Sequence, residues 1–288
     1  MITGSIVALV TPMHLDGAID WGALTRLIEY HIECGTSALA VVGTTGESPT
    51  LTVPEHCQVI RHAVDRSRGR IPVVAGTGGN STHEAIELTS SAAEAGADYS
   101  LSVTPYYNRP TQQGLYEHFQ AVSRSVNLPI ILYNVPSRTG CDLHDETLLK
   151  LSQIKNIVGI KDATGDVERG AGLIKMLPED FAVFSGDDPT SLDLMRRGGK
   201  GNISVTANVA AVAMAKMCNL ALEGRWEDAA AIDQSLSDLN AALFLESNPI
   251  PIKWAMSQKE MIEGGIRLPL TTLSDAHHNA VRKALEVL

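Results

Sequence analysis

Eight short runs of β-branched and apolar residues recur along the chain, at 6–10, 38–42, 72–75, 100–103, 130–133, 157–161, 182–185 and 202–205. Between them lie segments with helical periodicity, at 21–33, 54–67, 83–95, 114–126 and 146–154. This alternation argues for βα units and a parallel sheet, and a repeat of roughly thirty residues fits one such unit. Eight is the number of strands that closes a (β/α)8 or TIM barrel, and 288 residues suit one barrel. Asp20, Thr52, Ser81 and Asp145 stand where helix N-caps are expected.

After the eighth run, helical patterning continues to the C-terminus, notably at 226–244 and 252–261. No Pro/Gly/Ser-rich linker precedes it. The sequence therefore predicts a barrel over 1–224 and a C-terminal helical extension over 225–288 that packs on the barrel instead of folding apart.

Charge narrows the partners. The chain has 33 acidic against 23 basic residues, a net charge of −10, and no segment that concentrates Lys and Arg as a phosphate-tracking surface needs. No nucleic acid partner is expected. The N-terminal stretch lacks a basic leader and any apolar run near the ~20 residues that span a bilayer, so the expectation is a cytoplasmic protein with no membrane partner. Cys34, Cys57, Cys141 and Cys218 are scattered and form no C-x-x-C pair, and the histidines form no H-E-x-x-H. No metal site is expected.

In such barrels the chemistry sits at the carboxyl ends of the strands. Lys161 closes the sixth run. Period-two alternation puts Ile157, Gly159 and Lys161 on one face, and Val158 and Ile160 toward the helices. An ordinary strand-end lysine would reach water with its ammonium. An inward lysine above a glycine would instead have room for a ligand, and desolvation would favour the neutral amine that attack on a ketone requires. Lys150, Lys155, Lys175 and Lys200 lie in helical or turn positions.

Tyr133 ends the fifth run. It is either a packing residue or a group that passes protons to an adduct on the neighbouring strand. The turn from Gly43 to Gly46 combines hydroxyls with backbone N–H groups, a suitable cradle for a small carboxylate, though it could equally be a plain tight loop. Neither it nor Gly76–Gly79 matches a nucleotide-binding glycine fingerprint. Arg138 is a loop cation that could grip a carboxylate at the barrel mouth.

Six ordered motifs carry a resemblance over essentially the whole chain: G-T-T-G-E at 43–47, P-Y-Y-N at 105–108, Y-N-V-P-S-R-T-G at 133–140, G-I-K-D-A-T-G at 159–165, S-G-D-D at 185–188 and N-P-I-P-I-K at 248–253. With these, the chain resembles the 4-hydroxy-tetrahydrodipicolinate synthase (dihydrodipicolinate synthase) family. That family is similar in fold and Schiff-base chemistry to N-acetylneuraminate lyase and the keto-deoxy sugar acid aldolases. The resemblance implies a lyase of lysine biosynthesis that condenses pyruvate with L-aspartate 4-semialdehyde, through an imine on Lys161 and with no separate cofactor.

It further implies that Tyr133 donates and accepts protons, linked through Thr44 to a Tyr107 supplied by a neighbouring subunit. Thr45, the backbone at Ile203, and Gly186 are implied to bind substrate, and Arg138 the carboxylate of the semialdehyde. A homotetramer built as a dimer of dimers follows from the same resemblance. L-lysine as an inhibitor is implied at Ser48, His56, Asn80, Glu84 and Tyr106. Val53 and Pro49 depart from the usual residues there, which predicts weaker inhibition, and Asp162 stands where relatives frequently carry glutamate. The alternatives are another pyruvate-dependent aldolase, a barrel that only binds a sugar acid or amino acid, and a metal-dependent aldolase.

Overall fold

A computed structural model describes residues 1–287. Strands β1 (Gly4–Ala8), β2 (Ala38–Val41), β3 (Val73–Gly76), β4 (Tyr99–Val103), β5 (Ile130–Asn134), β6 (Ile157–Asp162), β7 (Ala182–Ser185) and β8 (Gly201–Ser204) form a closed barrel in sequence order. All neighbours are parallel, and β8 closes on β1 through pairs such as Ile6 with Ile203. The helices that cross between them are α1 (Trp21–Glu33), α2 (Val53–Ser67), α3 (Thr82–Ala95), α4 (Gln112–Ser125), α5 (Pro136–Thr139), α6 (Asp145–Leu151), α7 (Val167–Met176) and α8 (Ser191–Arg196), and α9 (Ala211–Leu222) follows β8. Three more follow: α10 (Trp226–Ala242), α11 (Ile250–Gln258) and α12 (Asp275–Ala284).

Alternation along the strands sorts the apolar side chains into layers. Ile6, Ala40, Val74, Leu101, Ile131, Phe184 and Ile203 fill the interior. Val7, Leu39 and Val73, and on the opposite flank Leu132, Ile160 and Val183, face the surrounding helices. Leu236, Leu239, Trp254 and Val281 of the last three helices join the same cluster as Val7 and Leu24. The C-terminal helices thus share their core with the β1 side of the barrel.

Caps Asp20, Thr52 and Ser81 each accept a backbone N–H of the first helical turn, and Thr52 with Glu55 closes a capping box. Asp145 does not cap. It is the first residue of α6, where its charge suits the N-terminal dipole, and His144 holds the cap position. Helix α4 starts two residues before the predicted point because Thr111 caps it.

Two strand ends also differ from the pattern. Val42 has φ 49, a left-handed conformation no strand accommodates, so β2 stops at Val41. Strand β1 starts at Gly4 and ends at Ala8, and the Val10 N–H donates to Asn208 Oδ1 (3.1 Å) rather than to a neighbouring strand.

Strand β6 holds the largest correction. Ile130 pairs with Ile157 but Ile131 pairs with Gly159, so Val158 is an extra residue, a β-bulge. Ile157 therefore faces the helices with Ile160, and Val158 packs with the interior. The simple alternation fails below the bulge and holds above it, where Gly159 and Lys161 are in register with the inward Ile131 and Tyr133.

Candidate active site

Tyr133 and Lys161 are directly paired across β5 and β6, and both side chains enter the barrel mouth. Lys161 is 6% exposed and Tyr133 7%. The Lys161 ammonium nitrogen lies 4.3 Å from the centre of the Tyr133 ring. Both line a cavity of about 230 Å³ together with Thr44, Thr45, Arg138, Gly186 and Asn248. An apolar cleft of about 340 Å³ adjoins it, sharing Thr44, Tyr133 and Arg138 and extending to Ser48 and Tyr106.

The glycine expected to make room for the lysine is the wrong one. A Cβ on Gly159 would stand 2.7 Å from the Ala182 carbonyl oxygen, so this glycine lets β7 close on β6. At Gly186 a Cβ would stand 2.8 Å from Lys161 Cε and 2.7 Å from Ala163 Cβ, so Gly186 is the position that leaves space for the lysine.

Below the mouth, polar contacts fix the strand ends. Asp162 follows Lys161 and turns away from the cavity; its carboxylate accepts from Arg169 Nη1 (2.9 Å) and Thr164 Oγ1 (3.0 Å). Burial pushes its carboxyl upward and the Arg169 charge opposes that. Asn134 follows Tyr133 and donates to Asp142 (2.7 Å) while accepting from Leu143 N (3.0 Å). Asp188 accepts from Asn202 Nδ2 (2.7 Å), Val205 N (2.9 Å) and Thr206 N (3.0 Å), binding the β7 end to the β8 end.

Thr44 and Thr45 sit in a turn that crosses the mouth after β2. Thr11 Oγ1 donates to Gly46 O (2.7 Å), Asn248 Nδ2 donates to Thr45 Oγ1 (2.9 Å), and the Lys253 ammonium pairs with Glu47. Asn248 and Lys253 come from the C-terminal helical segment, and the residue-by-residue reading of the strand ends missed both. A signal existed: Lys253 stands in α11 among Ile250, Ile252, Trp254 and Ala255, an apolar setting that a lysine enters only with a buried partner.

The remaining predicted residues are partly gathered. Arg138 is exposed at the mouth, makes no ion pair among the described residues, and donates to the Asn248 backbone oxygen (3.3 Å). Ile203 lies in β8 with its side chain in the interior core, and it is Val205 that lines the cavity wall there. Tyr107 is not in the cavity: it has φ 72 and is 89% exposed. Among the described residues, no group of three or more His, Cys, Asp or Glu side chains could hold a metal ion, and no helix is long and apolar enough to cross a membrane.

Of the five residues of the implied lysine site, Ser48 and Tyr106 line the adjoining cleft, His56 and Asn80 are hydrogen-bonded to them, and Glu84 is not among the lining residues. His56 Nε2 donates to Gly76 O (2.8 Å), which leaves Nδ1 to accept from Ser48 (3.4 Å); burial pushes the imidazole below its ordinary value. Asn80 Nδ2 donates to Tyr106 O (3.2 Å). Burial, then the Glu84 charge, pushes the Tyr106 phenol upward. Pro49 lines the cleft, and Val53 is exposed.

The profile of the dihydrodipicolinate synthetase family matches residues 1–288. The 4-hydroxy-tetrahydrodipicolinate synthase of Cellvibrio japonicus is 55% identical over 287 residues, covering 100% of this chain and 99% of that protein. The crystal structure of the chloride-inhibited dihydrodipicolinate synthase of Acinetobacter baumannii, complexed with pyruvate, matches with a TM-score of 0.98 at 53% identity, over 100% of this chain and 99% of the other. The DHDPS of Cyanidioschyzon merolae with lysine bound matches with a TM-score of 0.96 at 39% identity, over 99% and 98%. A closed barrel with a buried lysine and tyrosine paired at its mouth, and a full-length likeness to these enzymes, lead to one conclusion: the chain belongs to the dihydrodipicolinate synthetase family.

Proposed function

We infer that this chain is a lyase that condenses pyruvate with L-aspartate 4-semialdehyde to 4-hydroxy-tetrahydrodipicolinate, with the imine to pyruvate formed on Lys161. One observation carries the assignment of the nucleophile. Of the two buried lysines, Lys253 is neutralised by Glu47, whereas Lys161 has no ion-pair partner among the described residues and lines a cavity. An amine that faces a cavity and is not held by a carboxylate is placed to attack a carbonyl carbon there.

In this reading the Lys161 nitrogen attacks the pyruvate ketone and water leaves to give the imine. Loss of a methyl proton gives an enamine, whose carbon attacks the aldehyde. Tyr133, beside the nitrogen, transfers the protons, with Thr44 and a Tyr107 from a second subunit as the relay. The exposure of Tyr107 supports that arrangement, since the side chain projects away from its own cavity toward solvent. Thr45, Ile203 and Gly186 serve the substrate, and Arg138, a mouth cation with no anionic partner among the described residues, serves the semialdehyde carboxylate. Residues 1–224 form the catalytic barrel and 225–288 the extension, within a homotetramer in the cytoplasm. L-lysine inhibits from Ser48, His56, Asn80, Glu84 and Tyr106, weakly because Val53 and Pro49 replace the usual contacts.

Substrate profiling tests the acceptor. Pyruvate consumption is measured with L-aspartate 4-semialdehyde, N-acetylmannosamine and glyceraldehyde. Turnover with the first alone is expected; preference for a sugar aldehyde would move the chain to the lyases of sugar acids.

A further inference from the structure

Asn248 reaches the cavity from the segment between α10 and α11. It is 6% exposed and lines the same cavity as Lys161. Its side chain touches Thr45 and its backbone oxygen touches Arg138, at 2.9 and 3.3 Å. A hydroxyl has one hydrogen and two acceptor positions. When an amide N–H occupies one acceptor position of Thr45, the Thr45 hydrogen cannot point back at Asn248 and must turn elsewhere.

The orientation of the amide follows from what it leaves unpaired. As it stands, the buried Oδ1 of Asn248 has no hydrogen-bond partner. Reversed, Oδ1 would accept from Thr45 and the two-hydrogen nitrogen would be the orphan. Buried unpaired N–H groups are rarer than under-used carbonyl oxygens, so the donor orientation is favoured.

We propose that Asn248 is a positioning residue that commits the Thr45 hydroxyl to donate toward the carboxylate of the bound 2-oxo acid, while its backbone oxygen orients Arg138 for the second substrate. This rests on the reading that Thr45 binds the pyruvate carboxylate. The C-terminal extension then does more than cover the barrel: it presets a hydrogen-bond polarity at the first subsite.

The test separates side chain from backbone. Imine formation is trapped with borohydride at graded pyruvate concentrations, without aldehyde, in wild type, Asn248→Ala, Thr45→Val and the double variant. Asn248→Ala is expected to raise the half-saturating pyruvate concentration by about 3- to 10-fold, the worth of one hydrogen bond. The KM for the aldehyde substrate should stay within about twofold, because the backbone oxygen remains to hold Arg138. Thr45→Val should weaken pyruvate at least as much, and adding Asn248→Ala to it should change nothing further, since a residue that acts through Thr45 has nothing left to act on. A merely structural Asn248 would move both substrates and would still cost affinity in the Thr45→Val background, and that outcome overturns the proposal. Unchanged half-saturation in Asn248→Ala overturns it as well. Should Asn248→Ala not fold, Asn248→Leu keeps the volume and carries the same expectations. Wild-type protein that yields no adduct refutes the Schiff-base reading itself, a result distinct from adduct formation that Asn248 does not influence.

Discussion

Replacing Lys253 by methionine should expose how strongly the C-terminal helices hold the turn at the barrel mouth. Lys253 and Glu47 are both buried, with side-chain exposures of 2% and 0%. Glu47 retains only one other donor, the Arg267 backbone N–H at 3.2 Å. Burial pushes the Lys253 ammonium below its ordinary value and the Glu47 charge opposes this, so each charge depends on the other. Methionine keeps the length of the lysine and removes the charge.

The carboxylate left behind has lost its counter-charge, which costs about 3–5 kcal/mol when a buried pair loses one member. The middle of that range is about 4 kcal/mol. At about 2 °C per kcal/mol for a chain of this size, the melting temperature should fall by about 8 °C.

Glu47→Gln with Lys253→Met removes both charges and should recover most of the loss. Thermal and urea unfolding of both variants measure this. A fall of less than about 2 °C, or no recovery in the double variant, would mean that the buried pair does not hold the turn.

Other substitutions test the site and its frame. Gly159→Ala should destabilise by about 1–3 kcal/mol and slow adduct formation, because its Cβ would meet Ala182 O at 2.7 Å and push β6 from β7; calorimetry and timed trapping measure the two effects. Arg138→Leu should raise the KM for the semialdehyde by about 10- to 100-fold and leave pyruvate trapping unchanged, and Arg138→Lys should rescue poorly because lysine lacks the bidentate fork. His31 is buried, pushed from 6.5 down to about 3 by desolvation. Its folded value is depressed, so its contribution is whole above pH 6.5 and is lost as pH falls toward 3, at about 1.4 kcal/mol per unit. Unfolding free energies between pH 7 and 4 should therefore slope less steeply in His31→Gln.

The barrel was legible because its signal is repeated: eight apolar runs at one spacing leave few other folds. The placement of Lys161 and Tyr133 at the barrel mouth was legible because they end their runs. What period two could not reveal was the bulge at Val158, since an inserted residue leaves composition unchanged and only the pairing with β5 exposes it. The roles of Gly159 and Gly186 were exchanged for a similar reason. Which glycine faces a neighbouring strand and which faces a lysine depends on contacts between strands, and a linear reading holds none of them. Asn248 and Lys253 lie about 200 residues from Thr45 and Glu47, with |i−j| of 203 and 206. No local pattern spans that separation, although a lysine within an apolar helix does announce that a buried partner exists somewhere.

In the proposed reaction Lys161 is the residue that becomes covalently bound to pyruvate. Incubation with pyruvate and borohydride, intact mass and peptide mapping test it most directly, because reduction makes an imine permanent. One reduced pyruvyl adduct per chain is expected, at Lys161 and absent in Lys161→Arg; an unmodified chain, or an adduct on another lysine, would rule out Lys161 as the nucleophile.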